Sequence, residues 1–340
     1  MSGIFTLARW LGPWANPAKA PRVATREDAV DELRVRLYEP ERAPRRTYLI
    51  APGLHYAAAD DPRLDRFCRV LCAAGHLVVA PFVPSYLALT PDARAISDFI
   101  RVADALPRWS AQRPTVFSIS FGSLLAFALA AERPELADRL VIFGGYADFA
   151  ETLRFCVTGR VASGREATRD PLNQPVVLLN LLAGIPHAPE HRAALEAGWR
   201  TYIERVWGRP EMKTDGRYQA IAHELAPSVP APVRELFLVG IGAQPGAWEL
   251  AEAALPHVDV SALDPRPHLA RIRGRVELVH GADDDVIPFE HAHLLAQRLP
   301  EADPRVHVTG LYGHTGASFG KLLALPRELA TMIRVLRILA

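Results

Sequence analysis

Short hydrophobic runs alternate with amphipathic stretches over two parts of the chain. The runs that predict strands are 35–38, 47–51, 76–80, 115–117, 140–143, 275–280 and 305–309. Helices are predicted between them, one of them capped by Asp61 and begun by Pro62, the next opened by Thr90 and Pro91. A last helix is predicted over Phe319–Leu339, with Pro326 bending or splitting it. This alternation predicts an α/β fold, a doubly wound and mostly parallel central sheet with helices on both faces.

The alternation stops between residues 147 and 267. Helical periods separated by Pro and Gly turns replace it there, over a stretch too long for a connecting loop. We therefore predict a core of residues 23–146 and 268–340, with 147–267 inserted as a helical cap over the carboxyl ends of the strands. Apolar side chains available as pocket walls or as the cap's own core are Leu178, Leu179, Leu181, Leu182, Trp199 and Trp207.

Residues 1–22 form a separate N-terminal segment. Ile4, Leu7, Leu11 and Trp14 fall on one helical face, which predicts a possible amphipathic helix. Two interpretations stay open for residues 1–20: a short helix packed on the domain, or a foot that touches a membrane surface. The segment lacks the basic start and long apolar region of a secretory signal. No stretch reaches the roughly 20 apolar residues of a membrane span.

A strand, a tight turn and an apolar helix meet at residues 115–131, with a serine in the turn. The sequence there is Ser118-Ile119-Ser120-Phe121-Gly122. A serine hydroxyl becomes a useful nucleophile only when geometry and a base activate it, and a sharp strand-to-helix turn exposes its Oγ. Such a turn tolerates only small residues two positions either side of its apex. Ser120 meets this condition, whereas Val116 crowds Ser118 and Phe121 crowds Ser123.

Candidates for the base and the acid follow later strands. The strand 275–280 runs into Gly281-Ala282-Asp283-Asp284-Asp285, and the strand 305–309 runs into a glycine-rich loop that contains His314. A Ser nucleophile needs a histidine base, and that base needs a carboxylate to orient it. The carboxyl ends of parallel strands lie at one sheet edge, so these loops are expected to meet there. His280 ends a strand that reads as buried, and a structural role is expected for it.

The chain resembles the α/β-hydrolase superfamily at these motifs and at Pro52-Gly53-Leu54-His55, which is similar to the family's oxyanion loop. The resemblance covers roughly residues 30–146 and 265–340. It implies a Ser120, Asp284 and His314 triad, because the acid stands three residues after the turn glycine, with Asp283 and Asp285 capping the next helix. It also implies an oxyanion hole made of the backbone N–H groups of Leu54 and Phe121. Relatives that cleave haloalkanes or epoxides carry aspartate at the apex, so Ser120 favours acyl transfer to water.

Composition narrows the classes of partner. The 340 residues contain 39 Lys and Arg against 38 Asp and Glu, a net charge of +1, which gives no electrostatic reason to expect nucleic acid. Three cysteines exclude a disulfide framework and favour a reducing, cytoplasmic location. No cofactor and no metal site are predicted, since Cys68 and Cys72 lack a second ligand pair.

The sequence therefore predicts a carboxylesterase-like serine hydrolase that acts on a small ester with an apolar acyl or alcohol part. Thioesterase, lactonase, amidase and acyltransferase activities on the same triad remain alternatives. A membrane-associated lipase is a further one, and a non-catalytic protein of the same fold that binds a small molecule or lipid is an alternative of another class. The natural substrate, acyl length and oligomeric state are left open.

Overall fold

An eight-stranded sheet organises the first of two compact units. The computed structural model describes residues 3–186, 189–310 and 325–340. The strands are β1 (Ala24–Val30), β2 (Leu33–Glu39), β3 (Thr47–Ala51), β4 (Leu77–Pro81), β5 (Thr115–Ile119), β6 (Arg139–Phe143), β7 (Gly274–Gly281) and β8 (Ala302–Thr309). Their order is β1-β2-β4-β3-β5-β6-β7-β8. The pairs from β4 to β8 are parallel, and β2 is antiparallel to both β1 and β4. The predicted mostly parallel sheet is confirmed.

Helices of the first unit cover both faces of this sheet. They are α1 (Gly3–Leu11), α2 (Pro62–Ala73), α3 (Pro84–Leu87), α4 (Arg94–Asp104), α5 (Gly122–Glu132), α12 (Arg266–Leu269), α13 (Glu290–Gln297) and α14 (Leu325–Leu339), the numbers α6–α11 belonging to the second unit. One apolar cluster joins α4, α5, α12 and α13 to side chains such as Leu49. The other joins α1, α2 and α14 to side chains such as Tyr48 and Ile50. Neighbouring residues of β3 thus serve opposite faces, as the pleat requires.

The second unit consists of Phe149–Ala262 together with Asp285–Pro288. Its helices are α6 (Phe149–Thr158), α7 (Gln174–Leu181), α8 (Arg192–Val206), α9 (Arg217–Leu225), α10 (Ala231–Gly240) and α11 (Ala247–Ala254). Trp199 of α8 is fully buried, and its indole Nε1 donates to the Phe237 carbonyl at 3.2 Å. The leucines at 178, 179, 181 and 182 are also buried. These apolar residues therefore form the core of the unit.

Several predicted elements have different bounds, and two short ones were not predicted. β1 was not predicted, because only Val30 in it is buried and its sequence therefore has no hydrophobic run. It is an edge strand fixed by its ladder to β2 and by ion pairs such as Arg26–Glu39 at 3.2 Å. α3 was not predicted either. α4 begins at Arg94 instead of at Thr90, and Arg94 N–H donates to Asp92 Oδ1 at 3.0 Å.

The remaining predicted helix boundaries have mixed outcomes. Asp61 accepts a hydrogen bond from Arg63 N–H and caps α2, as predicted. Of the predicted helix over Phe319–Leu339, the part from 325 on is helical, and residues 319–324 lie outside the described residues. Among the described residues, no helix combines the length and the apolar content that crossing a bilayer requires.

Candidate active site

Ser120 occupies the turn between β5 and α5 in a strained backbone conformation. Its φ is +52°, in the left-handed region that residues with a Cβ rarely adopt. The conformation is held by hydrogen bonds on either side, since Ser120 N–H donates to the Phe143 carbonyl at 2.8 Å and the Ser120 carbonyl accepts from Ser123 N–H at 3.0 Å. Such strain concentrates at functional positions, where the surrounding structure maintains it.

The neighbouring serines have other environments. Ser118 is fully buried within the sheet, in register between Ala51 of β3 and Ile142 of β6. Ser123 is buried as well, and its Oγ accepts from Tyr146 N–H at 3.4 Å. Of the three serines that compete for the apex, only Ser120 has a positive φ.

Gly122 shows why a small residue follows the apex. A Cβ added there would lie 2.1 Å from the Ala51 carbonyl oxygen and 2.6 Å from that of Pro52. The start of α5 therefore touches the end of β3 backbone to backbone, at a separation that only glycine permits.

The loop after β3 runs directly beside Ser120. β3 and β5 are paired up to Ala51 and Ser118, and a Cβ added at Gly53 would lie 3.7 Å from Ser120 Cβ. Leu54, next in this loop, is half-buried against the apolar cluster that contains α5. Phe121 precedes α5, and its carbonyl accepts a hydrogen bond from the Tyr86 hydroxyl at 3.0 Å. Of the two residues predicted for the oxyanion hole, Phe121 thus follows Ser120 directly, and Leu54 follows Gly53, which lies beside Ser120.

His55, which follows Leu54, is engaged within its own loop. Its Nδ1 accepts from Ala57 N–H at 3.1 Å, its Nε2 lies 3.4 Å from Asp61 Oδ2, and its ring stacks on that of Tyr56. Burial lowers the pKa of His55, and the nearby Asp61 carboxylate opposes that shift. These contacts give His55 a role in shaping the loop that carries Gly53 and Leu54.

Asp284 is the buried member of the acidic triplet after β7. The turn is fixed by Ala282 N–H, which donates to the Thr309 carbonyl of β8 at 2.8 Å, and by Asp284 N–H, which lies 3.3 Å from the Gly281 carbonyl. Asp283 is exposed. Asp284 Oδ2 lies 3.4 Å from His280 Nε2, and both side chains are almost completely buried. The histidine beside this carboxylate is His280 and not the predicted base, so the contact observed concerns the position of Asp284.

Asp285 has a role that the sequence analysis did not predict. Asp285 was expected to cap the following helix, but Phe289 precedes α13 and makes no side-chain cap. Its carboxylate instead lies 2.8 Å from Lys213 Nζ, which also lies 2.8 Å from Asp170 Oδ2. The Asp285 carbonyl accepts from Asp170 N–H at 2.7 Å. A long-range ion pair such as this leaves no signature in the local sequence, so it could not be predicted.

His314, the predicted base, lies outside the described residues. The description ends four residues before it, at Gly310. Both Gly310 N–H and the Thr309 hydroxyl donate to Glu328 Oε2 of α14, at 2.9 Å and 2.7 Å. Glu328 thus fixes the end of β8, from which the loop with His314 continues, and the sequence analysis had not identified it.

Two strand ends carry Ser120 and Asp284 to one edge of the sheet, and β8 ends at the same edge. Ser120 follows β5, Asp284 follows β7, and Gly310 follows β8, and these strands run parallel in the order β5-β6-β7-β8. A mostly parallel sheet with this strand order, together with a serine strained at a strand-to-helix turn, is typical of one fold. The fold is that of the α/β-hydrolases.

Comparison with solved structures finds distant similarity to several hydrolases. A serine hydrolase from the polyaromatic hydrocarbon-degrading bacterium Cycloclasticus zankles is 15% identical over 92% of this chain and 96% of its own, with a TM-score of 0.45. A 2-hydroxy-6-oxo-6-phenylhexa-2,4-dienoate hydrolase from Rhodococcus sp. strain RHA1 is 15% identical over 94% and 98%, with a TM-score of 0.49. A membrane phospholipase A is 18% identical over 93% and 86%, with a TM-score of 0.47.

No protein-family model and no curated protein sequence matches the chain. The assignment of the α/β-hydrolase fold therefore depends on the sheet order and on the turn at Ser120.

The described residues also contain a groove and a pair of neighbouring cysteines. A groove of about 590 Å³ lies between α10 and α11 of the second unit, and neither Ser120 nor Asp284 lines it. Within residues 3–186, 189–310 and 325–340, no three His, Cys, Asp or Glu side chains are grouped so as to hold a metal ion. Cys68 and Cys72 are buried thiols, and burial raises the pKa of Cys72 to about 12.

Proposed function

We propose that the protein is a serine hydrolase that cleaves carboxylic esters through an acyl-enzyme at Ser120. The observation that supports this most is the left-handed turn at Ser120, held beside Gly53 at the edge of a parallel sheet. Neither the left-handed turn nor the close approach of Gly53 needs a serine for structural reasons, whereas a serine hydroxyl held at a helix start is suited to nucleophilic attack.

In the first step, Ser120 Oγ attacks the ester carbonyl carbon while the imidazole of His314 takes the hydroxyl proton. The C–O bond to the alcohol then breaks, and His314 returns the proton to the leaving alcohol. Asp284 keeps the imidazole in the correct tautomer and stabilises its positive charge. The backbone N–H groups of Leu54 and Phe121 bind the oxyanion, and each such donor typically contributes about 3 kcal/mol to the transition state. Water activated by His314 then hydrolyses the acyl-enzyme.

Replacing single serines tests this proposal. Ser120→Ala should abolish hydrolysis of p-nitrophenyl acetate, because the nucleophile is removed without enlarging the side chain. Ser118→Ala is the matched control, since Ser118 lies two residues earlier and is buried within the sheet. It should keep the wild-type kcat within about threefold. Full activity of Ser120→Ala would contradict the proposal.

A comparison of acyl substrates then determines which type of bond the protein cleaves fastest. Esters, thioesters, lactones and amides that share one acyl group would be turned over in parallel. We expect the ester to have the highest kcat/KM, and a thioester or amide preference would change the bond type while leaving the role of Ser120 intact.

A further inference from the structure

The N-terminal helix α1 is fixed rigidly to the domain. Leu7 is fully buried in the apolar cluster formed with α2 and α14. Arg66 of α2 donates to the carbonyls of Trp10 and Lys19, the latter at 2.8 Å. These contacts hold both α1 and the segment that follows it in place. The side chains that they expose to solvent are therefore fixed relative to the first unit.

Large apolar side chains project from this region into solvent. Phe5 is 69% exposed and Trp14 is 63% exposed, while Ile333 of the neighbouring helix α14 is 42% exposed. Among the described residues, Tyr56 is the one other large hydrophobic residue in this class. Exposed large hydrophobics grouped on adjacent elements mark a binding surface, whereas single ones need no explanation.

The same surface carries cations that no described carboxylate neutralises. Residues 1–26 contain no Asp or Glu. Exposed cations here are Arg9, Lys19 and Arg22 of the N-terminal segment and Arg334 and Arg337 of α14. The described residues form no ion pair with any of these five, whereas the partly exposed Arg101 and Arg133 pair with Glu32 at 2.9 Å and with Asp104 at 2.8 Å.

We propose that this α1/α14 surface, formed by Phe5, Arg9, Trp14, Ile333, Arg334 and Arg337, binds the headgroup region of an anionic lipid bilayer. Aromatic and aliphatic side chains insert at the boundary between headgroups and acyl chains, and the arginines bind lipid phosphates and carboxylates. A second copy of the chain is the less suitable occupant, because two identical cationic surfaces repel each other. Nucleic acid could bind the arginines, but it would leave the apolar side chains of Phe5 and Ile333 exposed to water, so it is also the less suitable partner.

Vesicle co-sedimentation of the full-length protein tests this proposal. The probes are vesicles of phosphatidylcholine alone and of equal parts phosphatidylcholine and phosphatidylserine. The wild type should bind the mixed vesicles much more tightly. Arg334→Gln/Arg337→Gln should lower the partition coefficient about 25-fold, since each basic residue near an anionic surface contributes about fivefold. Phe5→Gln/Trp14→Gln should lower it at least about tenfold, since two apolar side chains then no longer insert.

Arg192→Gln/Arg217→Gln is the matched control for charge. Both residues are exposed, lie at the first positions of α8 and α9, and form no ion pair with a described residue. This variant should bind the mixed vesicles like the wild type. A loss of binding equal to that of Arg334→Gln/Arg337→Gln would show that the attraction depends on total charge and not on this surface. Every variant should keep wild-type hydrolysis of p-nitrophenyl acetate, so the outcome is independent of the reaction proposed at Ser120. Absence of vesicle binding, or a dimer that Phe5→Gln/Trp14→Gln dissolves, would overturn the proposal.

Discussion

Asp284 and Asp283 are chemically identical neighbours in contrasting surroundings. Asp284 is buried beside His280, and Asp283 is exposed. Asp284→Asn should lower kcat for p-nitrophenyl acetate about 10,000-fold, because an amide no longer favours the tautomer of His314 that accepts the serine proton. Asp283→Asn should stay within about twofold of the wild type. The reverse pattern in steady-state kinetics would mean that Asp283 is the acid and Asp284 is not.

His280 is expected to be a positioning residue for Asp284. Its Nε2 lies 3.4 Å from Asp284 Oδ2, so its loss leaves a buried carboxylate with one fewer partner. His280→Gln should lower kcat about tenfold or more while KM changes little.

His307→Gln is the control for this effect. His307 of β8 forms a similar pair with the buried Glu277, at 2.7 Å, within the sheet and away from Ser120. It should lower stability without changing kcat. Equal kcat values in the two variants would mean that His280 does not act through the acid.

The sequence alone was enough to select Ser120 and Asp284 as candidates, because local patterns apply to them. A tight turn admits only small neighbours, which singled out Ser120, and the family pattern singled out Asp284. The pairs His280–Asp284 and Lys213–Asp285 depend on side chains that only the tertiary structure brings together. His314 remains a prediction.

At the scale of elements, the approach of α5 to β3 is the most demanding packing constraint of the site. Gly122→Ala should destabilise the protein by more than about 3 kcal/mol, because the added Cβ would meet two backbone carbonyls that cannot move independently. Urea unfolding measures this change.

Gly274→Ala is the control for backbone effects in the same unit. Gly274 has a φ of +83° and no atom within 4 Å of an added Cβ, so its substitution isolates the conformational cost, about 1 kcal/mol. Equal destabilisation by the two variants would show that the contact with β3 is unimportant.

The strands β3 to β7 were predictable because most of their residues are buried and form continuous apolar runs. Thr47–Ala51 and Leu77–Pro81, for example, are buried at every position. β1 was not predictable by this criterion, since pairing and ion pairs hold it while its side chains face solvent. The start of β8 was missed for a related reason, because its first half alternates between exposed and half-buried residues.

At the scale of the whole molecule, two buried histidines link stability to pH. Burial lowers the pKa of His76 to about 4, with help from the cations Arg46 and Arg45, and burial beside His280 lowers that of His291 to about 4. Below the unfolded pKa of about 6.5, the unfolded chain binds protons that the folded protein excludes. The free energy of unfolding should therefore fall as the pH drops from about 6.5 to about 4, by up to about 3 kcal/mol per histidine.

Urea unfolding at a series of pH values in this range checks this dependence. His76→Gln and His291→Gln should each reduce the slope of the unfolding free energy against pH by about 1.4 kcal/mol per pH unit. Unchanged slopes would show that these histidines titrate alike in both states.

Covalent labelling tests the central claim most directly, because it identifies the nucleophile itself. The full-length protein would be treated with a fluorophosphonate and the modified peptide located by mass spectrometry. We predict one adduct per chain, on Ser120, formed rapidly in the wild type and lost in Ser120→Ala. An adduct on Ser118 or Ser123, or no adduct at all, would contradict the account.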